Sequence, residues 1–141
     1  LYTSINYEEF KMSKSINVPK LRFKEFSGEW KEKKFADIYD FFQTNSFSRA
    51  LLNYESGDVK NIHYGDIHTK FKSNFFINKE EVPFINTEID ISKIKDENYC
   101  QIKDLIIADA SEDYNDIGKA IEIIELNGEK LVAGLHTYIY S

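Results

Sequence analysis

Apolar and polar positions change period several times along this chain, and each change predicts an element. Residues 118–126 (GKAIEIIEL) and 129–140 (EKLVAGLHTYIY) are rich in Val, Ile, Thr and Tyr. Asn127-Gly128, the pair favoured in a two-residue type I′ turn, separates them and predicts a β-hairpin. The unbroken apolar run between Asp104 and Asp109 predicts a short strand buried on both faces. VKNIHY (59–64) alternates and stops at Gly65-Asp66, as a strand entering a turn does. Asn45 and Ser46, good N-cap types, precede Arg49-Ala50-Leu51-Leu52, and Ser56-Gly57-Asp58 closes the segment, predicting a short helix. KEKKFADIYDFF (31–42) keeps no single period and reads as a short strand. Residues 66–87 read as a mostly polar loop punctuated by Val82-Pro83-Phe84-Ile85. MSKSINVPKLRFKEFSGEW (12–30), with Pro19 and spaced Phe23, Phe26 and Trp30, reads as an extended arm clamped onto the domain by its aromatics. Residues 1–11 precede the only methionine, Met12, and share no period with the rest. They read as a leader, so residues 1–17 are taken as a leader or extended N-terminal segment.

Composition supports one folded unit: 141 residues, 42% of them hydrophobic, with 11 Phe and 9 Tyr, can supply a core. With 6 Gly and 2 Pro, the chain is not a linker or a disordered tail. The lone Cys100 cannot form an internal disulfide, no Cys/His cluster has zinc spacing, and no run approaches the roughly 18 apolar residues of a membrane span. A cytoplasmic, metal-free, membrane-independent protein is the expectation. The net charge of −6 argues against nucleic-acid binding until its distribution is considered. Residues 18–79 hold eleven Lys or Arg against eight Asp or Glu, whereas residues 88–116 hold three against nine. One face can therefore meet DNA while another meets protein or solvent.

Catalytic constellations are thin. Ser111, His136 and Asp109 supply the residue types of a hydrolase triad, but no G-x-S-x-G elbow frames the serine, and a hydroxyl there more often caps the next turn. His63, His68 and His136 match no metal-ligand spacing. Asp109, Glu112, Asp113 and Asp116 lack the glycine and terminal glutamate of a calcium loop. A binding reading draws on Arg49, Lys60, Asn61, Tyr64, His68, Lys70, Lys72 and Asn74. Lys and Arg neutralise phosphates, and Asn hydrogen-bonds base edges. The same residues also suit an ordinary solvated loop.

VPKLRFKEFSGEWKEKKFADI (18–38) resembles the N-terminal start of the specificity subunits of type I restriction-modification enzymes. NIHYGDIHTKF (61–71), DLIIADASEDYNDIGKAIEI (104–123) and LVAGLHTYIY (131–140) resemble the same family, in the same order. The resemblance implies an α/β (α+β) target recognition domain over residues 18–141, with a twisted, mainly antiparallel sheet and short helices, stopping before the family's conserved long helix. It implies a non-catalytic module that reads one half of a bipartite double-stranded DNA target. S-adenosylmethionine, ATP and magnesium are then used by its partners, the modification (methyltransferase) and restriction subunits, and this chain holds no cofactor. The alternative is a truncated interaction fragment that binds the modification subunits without reading DNA.

Overall fold

The structure is a computed structural model, and it describes residues 18–111 and 113–141. The expected leader over 1–17 lies outside the described residues. The chain divides into two compact units, Leu1–Lys34 and Phe35–Ser141. Described residues of the first unit, 18–34, form no regular helix or strand. Phe26 N–H donates to Phe23 O, Arg22 caps Gly28 O, and the Phe23 and Phe26 rings meet at 6.5 Å. Within this unit Phe23, Phe26 and Trp30 keep 75%, 65% and 67% of their surface.

The second unit is mostly sheet with few short helices, an α+β arrangement. Its strands are β1 (Phe41–Phe42), β2 (Leu52–Asn53), β3 (Lys60–Ile62), β4 (Asn74–Phe76), β5 (Phe84–Ile85), β6 (Leu105–Ala108), β7 (Ala120–Glu125), β8 (Leu131–Ala133) and β9 (Thr137–Tyr140). The single α-helix among the described residues is α1 (Tyr64–Thr69). The strands build two sheets, ordered β1-β9-β6-β7-β4 and β2-β5-β3-β8. Pairing is mainly antiparallel, with β3/β8 and β4/β7 parallel.

The main core joins residues of both sheets and α1: Ile62, Leu131 and Ala133 from one sheet, Phe75, Ile106, Ile121, Ile123 and Ile139 from the other, and Ile67 from the helix. A second cluster, Val59, Ile85 and Val132, lies on the opposite face of the smaller sheet under Phe47, Leu52, Ile94 and Tyr99. All three β8 residues are therefore buried, since both faces of that strand are covered. Strand β6, expected to be the doubly buried one, instead alternates: Ile106 and Ala108 are buried while Leu105 and Ile107 are only half-buried.

The Asn127-Gly128 turn forms as expected, with φ of 51° and 78° and Glu129 N–H donating to Leu126 O at 2.9 Å. Both central residues sit in the left-handed region that a type I′ turn requires. The hairpin does not follow, because β7 and β8 enter different sheets. The segment after Asn98 runs between the two arms. Tyr99 bridges Val132, Cys100 N–H donates to Leu131 O, and Lys103 N–H donates to Ile123 O. Edge hydrogen bonds that the arms would exchange are thus taken by an intervening chain. The single strand expected over 129–140 also breaks, at Gly134–His136, into β8 and β9.

Three further expectations change. The helix expected over 45–55 contracts to a 3-10 turn at Arg49–Leu51, because Leu52 and Asn53 pair with Ile85 and Phe84. Residues 66–87, expected as loop, carry most of α1 together with β4 and β5. Of the strand expected over 31–42, only Phe41–Phe42 pairs, after a 3-10 turn at Phe35–Asp37. No helix among the described residues is long and apolar enough to cross a membrane.

Candidate nucleic-acid interface

Parallel strands β3 and β8 end side by side, and the chain beyond each carries several of the candidate side chains. After β3, His63 becomes the N-cap of α1: its Nδ1 accepts the Gly65 N–H at 3.1 Å. That bond satisfies one of the free donors at the start of a helix. Strand β8 leads into Gly134, where a Cβ would stand 2.6 Å from Asn61 Nδ2 and 2.7 Å from Ile62 O, so only glycine fits. His136 then adopts φ 58°.

An ionic network covers one side of α1. Asp66, in the helix's first turn and 1% exposed, receives two bonds from the Arg49 guanidinium at 2.7 and 2.8 Å. Arg49 also donates to Tyr54 Oη at 3.0 Å. Lys70 donates to the same Tyr54 oxygen at 3.1 Å, lies 5.0 Å over its ring, and stands 3.7 Å from Asp66 and 3.9 Å from Glu81. The Asp66 carboxylate raises the Arg49 pKa, and the Tyr54 bond raises that of Lys70. Both cations keep more than two-fifths of their side-chain surface, so each stays charged and reachable. A carboxylate at a helix N-terminus is itself favoured by the helix dipole.

Beside this network lies an aromatic group centred on Tyr64. Its ring stacks on His63 at 4.7 Å and meets His136 at 5.3 Å and His68 at 6.2 Å edge-on. The three histidines thus surround a phenol ring, and among the described residues no group of three or more His, Cys, Asp or Glu is placed to hold a metal. Burial lowers the His63 pKa, and the Arg49 charge lowers it further. His68 Nε2 bonds Ala110 O at 2.8 Å while its buried Nδ1 has no partner.

Arg49, Tyr64, His68 and Lys70 therefore gather at or against α1. Asn61 corrects the base-reading expectation: it is 0% exposed, accepts from Asn45 Nδ2 at 2.9 Å, and braces the core beneath the site. Lys60 is also withdrawn, bonded to Glu129 at 2.6 Å with 13% of its side chain exposed. Lys72 and Asn74 are exposed but lie at the edge strand β4, with Asn74 in register with Glu122. Tyr54, Asp66 and Glu81 complete the network without having been singled out from sequence. The Asp66/Lys70 spacing of four residues was a usable helical signal.

Ser111 accepts the Asp113 N–H at 3.1 Å, capping a turn, and no hydrogen bond joins it to His136 among the described residues. Asp109 instead meets His136 at 3.3 Å. Asp113 caps the next 3-10 turn and Asp116 faces Lys119 at 4.0 Å, so these acids serve the local chain, while Glu112 lies outside the described residues. In comparisons with known proteins, no family model and no curated protein matches this sequence.

Proposed function

We propose that the chain is a DNA-reading module, a target recognition domain like those of type I restriction-modification specificity subunits, and that it works without catalysis of its own. One observation supports the reading above others. The phrase NIHYGDIHTKF, which carries part of the family resemblance, coincides with β3 and α1, the unit that holds two exposed cations over a buried carboxylate. Arg49 and Lys70 are already oriented before a phosphate arrives, which reduces the ordering cost of binding. Tyr64, with Lys72 and Asn74 farther along, supplies groups for base edges and backbone, while His68 is held by Ala110 O and braces the Tyr64 ring. In this reading the module reads half of a bipartite site in the cytoplasm, the modification and restriction subunits are its partners, and they alone use S-adenosylmethionine, ATP and magnesium.

The test is duplex binding by the full chain with modification subunits across a salt series. Lys70→Ala is expected to weaken binding evenly across sequences and to lower the salt slope by about one. Lys60→Ala, at a lysine bonded to Glu129, is expected to leave the slope unchanged. Equal slopes for wild type and Lys70→Ala would overturn the assignment of this face.

A further inference from the structure

The outer face of the five-stranded sheet carries side chains that a solvated sheet face does not. Register places Phe41, Tyr140 and Leu105 in one row, with Tyr138 and Ile107 in the next. Phe35 stacks on Tyr39 at 4.6 Å and meets Tyr140 edge-on at 4.7 Å, while Phe41 meets Tyr138 and Tyr140 at 5.5 and 5.7 Å. Phe41 is 57% exposed, Phe35 46% and Tyr138 38%. Antiparallel sheets that face water on one side normally alternate apolar inside with polar outside. Here the inside residues, Phe42, Ile139 and Ile106, are apolar and so is the outside. A contiguous apolar patch of this kind marks an interaction site.

Charge and width narrow the occupant. Glu122 continues the first row, and the Asp109 carboxylate beside Tyr138 raises the pKa of its phenol. Carboxylates beside the rings disfavour a phosphate backbone and favour a cation. Three neighbouring strands about 4.8 Å apart make an apolar strip about 10 Å across, which is the width of one helix. Helix on sheet is one of the standard ways to bury such a face.

We infer that the outer face of β1, β9 and β6 is a docking surface for an amphipathic helix of another protein chain, one with an aliphatic stripe flanked by Lys or Arg. The helix's aliphatic side chains cover Phe41, Tyr138, Tyr140, Leu105 and Ile107, and its flanking cation meets Asp109 or Glu122. Asp109 touches His136 of the Tyr64 group, but none of the patch residues belongs to the Arg49–Asp66–Lys70 network, so the two assignments are tested by separate variants.

The test uses the full chain and two synthetic peptides of about 18 residues, five helical turns. They share one Leu/Ile stripe and differ in carrying Lys or Glu beside it. Calorimetry is expected to show the Lys peptide binding at least about tenfold more tightly, since like charges across an interface repel. NMR shifts should concentrate at residues 35–41, 105–109 and 138–140. Phe41→Ser is expected to abolish binding. Glu122→Lys, an exposed change that leaves the rings in place, should bring the two peptides to similar affinities. The inference is overturned if the Lys peptide fails to bind, if both peptides bind wild type equally, or if the shifts map elsewhere. It is also overturned if sedimentation shows a second copy of the chain occupying this face, or if an oligothymidine displaces the Lys peptide from it.

Discussion

Replacing Arg49 with alanine removes two charge-assisted hydrogen bonds from a carboxylate that is 1% exposed. Breaking a fully buried ion pair costs roughly 3–5 kcal/mol, because the surviving charge is left without compensation. Two features reduce that figure here. Arg49 keeps 43% of its side-chain surface, so water already competes for it, and Lys70 remains 3.7 Å from Asp66. A destabilisation of about 2 kcal/mol follows, equivalent to roughly 4–8 °C in Tm for a domain of this size. Urea unfolding of wild type, Arg49→Ala, Asp66→Asn and the double variant closes the cycle, with an expected coupling of about 1–2 kcal/mol. If Arg49→Ala costs under about 0.5 kcal/mol, or if the two changes add independently, Asp66 is not held as described.

Gly134→Ala is expected to cost about 1–3 kcal/mol, since the new methyl meets Asn61 Nδ2 and the Ile62 carbonyl at 2.6–2.7 Å; an unchanged urea midpoint would contradict the close approach. His63 has a lowered pKa in the folded state. Below its unfolded value of about 6.5 the unfolded chain binds the proton more readily, so the contribution is present above that pH and lost as pH falls towards the folded pKa. Comparison with His63→Asn, which keeps an N-cap acceptor, is expected to show wild type losing more stability between pH 7.5 and 5.5; parallel losses would refute the assignment.

What could be read in the sequence was local, and what could not depended on distant chain segments. Asn127-Gly128 made its turn because two positive φ values are a property of those two residues. Whether the flanking strands paired was decided by Tyr99–Lys103, which no local pattern places between them. Likewise β3 was visible in the alternation of 59–64, but Gly65-Asp66, read as a turn, opened a helix. His63 supplied a cap that histidine rarely signals, and Asp66 gained partners at Arg49 and Lys70. The helix expected at 45–55 was overridden by pairing with Phe84 and Ile85, a tertiary contact stronger than propensity. For the site, residue chemistry selected Arg49, Tyr64, His68 and Lys70, which do gather at α1. It also selected Asn61 and Lys60, because sequence reports what a side chain can bond but not whether it reaches solvent. The Asn45–Asn61 bond and the Lys60–Glu129 pair are long-range facts.

The central claim, DNA reading, is tested most directly by expressing this chain with type I modification subunits in a host lacking adenine methylation and mapping methyladenine across the genome. The expected result is a bipartite methylated motif that is present only with this chain and fades when Arg49 and Lys70 are both replaced by alanine. A methylation pattern identical with and without the chain would contradict it.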